Sequence, residues 1–194
     1  SKVITVINGR LNTADLAAIP VIKPERAGSR WIGINHHDLA RTIETGLQNR
    51  QIEVTKSAWT VDKNGQALFG GMGLRFPAAL DVPELTGMEY ALGVRHANDM
   101  SMSIQFFAGL TVMICSNGVA TGSFILARKH TSGIDLDYEV HRGVDRLIEE
   151  ARKAGGVVET MKQRHMDQPE VDHLLCEAGR RRLLSWGHLG LVEQ

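Results

Sequence analysis

The sequence predicts an α+β fold, an antiparallel β-meander with a packed amphipathic helix and a C-terminal helical segment. Three observations predict it. Apolar residues recur every fourth position between Asn35 and Gln48, alternate with polar ones from Ile52, and return to helical spacing at Val140. Turn signals at Asn64-Gly65, Ala97-Asn98-Asp99 and Ser116-Asn117-Gly118 divide the alternating stretch into short strands. The composition, 43% hydrophobic and 23% charged over 194 residues, is that of an ordinary globular chain able to bury a core. The expected organisation is an α+β core with an N-terminal extended arm over residues 1–132, and a helical segment packed on it over 133–194.

Residues 1–30 read as irregular, with a short strand at Val3–Ile7. Two prolines and a glycine in Pro20-Val21-Ile22-Lys23-Pro24 through Gly28 argue for an extended arm. It either crosses a neighbouring subunit or lies over its own core. Asn35 then opens a helix, because its side chain can cap the first backbone N–H groups and Asp38 favours the positive end of the dipole. Leu39, Ile43 and Leu47 form its apolar stripe, and Arg41, Glu44 and Gln48 fall away from it.

From Ile52 to Val61 the period is two. Asn64-Gly65 tolerates positive φ and predicts a hairpin whose return strand runs from Gln66 to Phe76. Gly70-Gly71 and Gly73 in that strand mark a bulge, tight packing, or a ligand laid against the backbone. Pro77–Gly87 reads as a loop and Met88–His96 as a strand. Ser101–Phe107 and Leu110–Cys115 read as two more, divided by Ala108-Gly109. Residues 52–130 thus form a meander of about four to six strands. Val140, Val144, Leu147, Ile148 and Ala151 form one helix face, ended by Gly155-Gly156. Pro169 starts a further helix that turns Val171, Leu174, Leu175 and Ala178 inward. The pattern leaves 157–166 open between helix and linker.

Charge excludes some functions. The 22 Lys+Arg balance the 22 Asp+Glu, which rules out a basic nucleic-acid coat and an acidic mimic of DNA built from bulk charge. A local basic groove remains compatible. Residues 1–50 carry seven basic against four acidic residues, and residues 51–140 carry six against nine. Cys115 and Cys176 are too few for a disulfide-stapled scaffold and point to reduced thiols. No signal peptide is read at Ser1–Ile7. The longest apolar run, Ile104 to Cys115, is broken by Gln105, Gly109 and Thr111 and falls short of the roughly 20 residues of a membrane helix. A soluble, cytoplasmic protein with no membrane partner is expected.

Three basic clusters invite contact with phosphates and bases. Arg180-Arg181-Arg182 has Trp186 beyond it, Arg128-Lys129-His130 follows the meander, and Arg26, Arg30 and Trp31 lie in the arm. The arginines at 180–182 equally offset a helix dipole and balance Glu170, Asp172 and Glu177. Among eight histidines, His36-His37 point in different directions, and His96 with Asp99 could meet in a turn. No compact zinc spacing occurs, so no metal and no cofactor is expected. Cys115, activated by His130 or His96, is the candidate nucleophile against the commoner inert strand cysteine. No nucleophile elbow, phosphate loop or metalloprotease motif supports an enzyme, and no catalytic residue is assigned.

Tyr90-Ala-Leu-Gly-Val-Arg-His-Ala-Asn-Asp-Met-Ser101, Gly109-Leu-Thr-Val-Met-Ile-Cys-Ser-Asn-Gly118 and Arg128-Lys-His-Thr131 together resemble a family of phage- and plasmid-borne proteins of unknown function, the domain of unknown function numbered nine hundred and thirty-two. The resemblance runs from Gly33 to Thr131. It implies a mobile-element origin and an accessory role in DNA recombination, replication or defence. By analogy of fold alone, a helix beside a twisted meander is similar to single-strand annealing proteins. On that reading Arg95, His96, Arg128, Lys129 and His130 would lie along single-stranded DNA, joined by Arg180, Arg181 and Arg182. The expectation is a non-enzymatic, homo-oligomeric DNA-binding protein acting in recombination or strand annealing. The alternative is a protein-binding inhibitor of a host defence system, docking through the arm on a host protein target.

Overall fold

The computed structural model of the 194-residue chain describes residues 11–112, 121–129 and 131–180. Five strands, β1 (Glu53–Val61), β2 (Ala67–Arg75), β3 (Met88–Ala97), β4 (Ile104–Val112) and β5 (Thr121–Arg128), form one antiparallel sheet in sequence order. Helix α1 (His36–Gln48) precedes them, and α2 (Leu136–Gln163) and α3 (Gln168–Arg180) follow. This is the α+β meander with a C-terminal helical segment. The chain divides into two compact units, Ser1–Gly156 and Val157–Gln194. Val3–Ile7, Cys115 and the Ser116–Gly118 turn lie outside the described residues.

Strand alternation sorts the sheet into two faces. Cross-strand partners run Trp59–Gly70–Val94–Phe106–Leu126 and Val61–Leu68–His96. Apart from Gly70, where the Trp59 ring fills the place of a side chain, these residues are buried and face the helices. The intervening row, Thr60–Phe69–Arg95–Gln105–Ala127, faces the other way and is half-buried to exposed. Asn35 caps α1 as expected, accepting from the His37 N–H at 2.8 Å, and Leu39, Ile43 and Leu47 are fully buried.

Glycines set how closely the helices approach. A Cβ on Gly46 of α1 would lie 3.3 Å from Val140 of α2, and one on Gly143 would lie 2.8 Å from the Phe106 ring. Arg50, just past α1, ties the two helices together: it donates to Asp145 at 2.8 Å, to His141 Nδ1 at 2.9 Å and to the Gly46 carbonyl at 3.1 Å. A guanidinium only donates, so His141 Nδ1 carries a lone pair here. At the β4–β5 bulge, Arg146 of α2 donates to the Ile125 carbonyl at 3.0 Å.

Several boundaries differ from the sequence reading. Ala108-Gly109 does not divide a strand, because β4 passes through it, paired with β3 on one side and β5 on the other. Gly155-Gly156 does not end α2. Gly155 instead lets the helix approach Pro83 and Tyr90, whose atoms a Cβ would meet at 2.7 and 2.6 Å. Leu174 of α3 is 55% exposed, whereas Val171 and Leu175 are half-buried. In the β1–β2 turn Gly65 alone takes positive φ, at 67°, and the Asp62 carboxylate accepts the N–H groups of Gln66 and Ala67 at 2.7 and 2.9 Å. The turn thus has one positive-φ residue and a carboxylate clamp, where the sequence predicts positive φ at Asn64 as well.

Candidate nucleic-acid interface

The arm supplies the first wall of the site. A short 3-10 helix, Asp15–Ala18, buries Leu16 against the first unit's own core. Leu11 bridges Trp59 on the outer edge of β1, and Arg26 donates to the Asp99 carbonyl at 2.7 Å. The chain then reaches the far end of β5, where Trp31 bridges Thr131, and returns to start α1. Over residues 11–31 the arm therefore lies on its own core.

The turn after β3 supplies the second wall. Asn98 is buried and spans to the arm: its Oδ1 accepts the Ile34 N–H at 3.0 Å, and its Nδ2 donates to the Ile34 carbonyl at 2.9 Å. Met100 follows with φ 67°, an uncommon conformation for a residue with a side chain, and is 47% exposed. Such strain persists only where surrounding bonds enforce it. Here Asp99 Oδ1 accepts the Ser101 N–H at 2.8 Å and the Asp99 carbonyl holds Arg26.

Between these walls lies an open groove of about 860 Å³. Arg30, Trp31, Arg95, Lys129, Gln105 and the Met100–Ser103 turn line it, and among the described residues no carboxylate does. Among the described residues no carboxylate pairs with Arg30, Arg95 or Lys129. Arg95 donates to Gln105, and its guanidinium lies 4.9 Å over the centre of the Phe107 ring. Three cations with an indole and several hydroxyl and amide groups suit an extended anion that also carries flat apolar groups.

The expected contact residues separate into distinct groups. Arg95 and Lys129 meet in the groove, joined by Arg30 and Trp31 of the arm. His96 does not, and this corrects its placement along a DNA strand. It is fully buried on the helix-facing side of β3, the side opposite Arg95. Arg128 is held by Glu139 of α2 at 2.6 Å, with Glu139 only 15% exposed, so it serves the β5–α2 junction. Arg180 pairs along α3 with Glu177 at 2.6 Å. His130, Arg181 and Arg182 lie outside the described residues. The sequence reading missed Gln105 and the Met100–Ser103 turn, for which Met100 offers no signal beside its neighbours Asn98 and Asp99.

His96 has a defined partner instead. Its Nε2 lies 2.7 Å from His36 Nδ1, while His36 Nε2 faces the Gly65 carbonyl at 2.8 Å. A carbonyl only accepts, so neutral His36 carries its proton on Nε2, and His96 Nε2–H donates to His36 Nδ1. Burial lowers the His36 pKa below its ordinary value of 6.5, against the opposing pull of the Gly65 carbonyl and the Asp62 charge. The pair thus joins the α1 start, the β1–β2 turn and β3 beneath the groove. His96 meets His36 rather than Asp99, and among the described residues no group of three or more His, Cys, Asp or Glu could hold a metal. Cys115 and His130, two of the three groups proposed for nucleophilic chemistry, lie outside the described residues, and Cys176 is an exposed free thiol.

A second cavity, of about 540 Å³, lies at the opposite end of the sheet beside the 77–87 loop. There Glu89 binds Lys56 at 2.5 Å and accepts from Thr55. Burial would raise its pKa, but those two hydrogen bonds and the charges of Lys56 and Arg75 outweigh it and hold the carboxyl below the usual range. Among the described residues the cavity's lining sets Arg75 against Glu84 and Glu89, which leaves no net attraction for an anion.

Fold and groove together define an α+β protein with a five-stranded antiparallel sheet and, at one end of it, a cleft lined by Arg30, Arg95 and Lys129. Comparison with family models, with curated proteins and with solved structures returns no significant match. No described helix is long and apolar enough to cross a membrane.

Proposed function

We propose that the protein binds single-stranded DNA through the groove between the arm and the β3–β4 turn. The observation that carries the reading is the convergence of Arg30, Arg95 and Lys129 with Trp31 in a cleft that no carboxylate lines among the described residues, on a chain whose net charge is zero. Cations gathered in one place attract phosphates although the whole molecule carries no surplus. The role in recombination or strand annealing, the phage or plasmid setting and assembly into a homo-oligomer rest on the resemblance of residues 33–131, and they enter the proposal on that footing. The arm that motivated a host-protein inhibitor lies on its own core over residues 11–31, and no observation particular to that alternative favours it.

Fluorescence anisotropy with a labelled single strand at low salt tests the reading. The wild type binds, and the double substitution Arg95→Gln with Lys129→Gln weakens binding about tenfold or more. Arg128→Gln, by contrast, leaves binding within about twofold and lowers stability, because Glu139 loses its closest cation. No measurable binding by the wild type would refute the proposal.

A further inference from the structure

We infer that the open face of the sheet beside the groove is a stacking platform for unpaired bases, formed by Phe69, Arg95 and Phe107. This rests on the reading of the groove as a single-strand site and adds where the bases go.

The register places the three side chains together. Phe69 is paired with Arg95 across β2–β3, Arg95 with Gln105 across β3–β4, and Gly93 with Phe107 one row on. The patch spans two strand spacings, about 10 Å. Their chain neighbours Leu68, Val94, His96, Phe106 and Ala108 are buried on the opposite face, so Phe69, Arg95 and Phe107 point away from both α1 and α2. Arg95 is exposed and stacks over Phe107, and the outer surface of a guanidinium plane receives a base as an aromatic ring does.

The surroundings suit flat groups. Gly71 is exposed, and a Cβ added there would meet nothing within 4 Å, so the sheet surface beside Phe69 is open. Gly93, opposite Phe107 in the register, sets no side chain beside that ring. Charge along this face is uneven. Its acidic groups, Glu53 and Glu89, lie at the far end in ion pairs with Arg75 and Lys56, whereas Arg95 adjoins the groove. An occupant therefore has anionic groups at Arg30 and Lys129 and flat, weakly polar groups over Phe69, Arg95 and Phe107. A single strand of DNA has both in that order, phosphates on one side and unstacked bases on the other.

The test compares a dT oligomer of about 12 nucleotides with an abasic deoxyribose-phosphate strand of the same length. The wild type is expected to bind dT more tightly. Phe69→Ala and Phe107→Ala should each weaken dT binding roughly tenfold and leave the abasic strand within about twofold. Phe69→Trp, which keeps a ring, should retain dT binding. Gly71→Leu fills open space without entering the core, so its selective loss of dT binding supports the platform even where a Phe→Ala variant does not fold. Equal wild-type affinity for the two strands, or unchanged dT binding in folded Phe69→Ala, Phe107→Ala and Gly71→Leu, overturns the platform while the phosphate groove stands. Binding to neither strand overturns the groove reading itself.

Discussion

Asn98 holds the two walls of the groove together with one side chain, using both amide atoms on the backbone of Ile34. Asn98→Ala leaves a buried N–H and a buried carbonyl without partners, and should cost about 3 kcal/mol in urea unfolding. Asn98→Asp keeps an acceptor for the N–H but sets a carboxylate against the carbonyl, so it should recover little. An Asn98→Ala protein of wild-type stability would refute the clamp. The His36–His96 pair makes a second residue-scale prediction. Because burial lowers the His36 pKa, the unfolded chain takes up a proton before the folded chain does as pH falls. The contribution is whole above pH 6.5 and is lost as pH drops from there towards the folded pKa. Urea midpoints measured across that window should decline with acid, and His36→Gln should flatten the decline. An identical pH slope in that variant would show that the proton goes elsewhere.

At the scale of elements, adjacent glycines in α2 play opposite parts. Gly155→Ala drives a methyl into Tyr90 and Pro83 and should destabilise by about 1–3 kcal/mol. At Gly156 a Cβ meets nothing within 4 Å, so Gly156→Ala should stabilise the helix by up to about 1 kcal/mol. Thermal melts of the two variants should move in opposite directions. The same pair shows what was legible in the sequence. Local signals placed α1 correctly, since Asn35 and the Leu39, Ile43 and Leu47 stripe act within one helix. Glycine was misread at Ala108-Gly109 and Gly155-Gly156, where its use is close approach or tolerance within an element. Only the partner across the fold distinguishes that from a break. The alternation of β3 did carry the information that Arg95 and His96 face opposite sides. Grouping them as neighbouring cations overlooked it.

At the scale of the molecule, the zero net charge conceals an uneven distribution. Arg50, Arg75, Arg128 and Lys56 are used in ion pairs that join elements, while Arg30, Arg95 and Lys129 converge on the groove. Residue type alone flagged Arg95 and Lys129, but separating structural from groove cations required their partners, which come from distant strands and helices. The central claim is that these cations meet phosphates, and counterion release measures it directly. Anisotropy titrations of the wild type and of Lys129→Gln with single-stranded DNA, across a range of salt, give the slope of log affinity against log salt. The account predicts a steep negative slope that becomes shallower by about 0.7 when Lys129 is removed. A wild type that does not bind, or an Lys129→Gln slope equal to the wild type's, would contradict it.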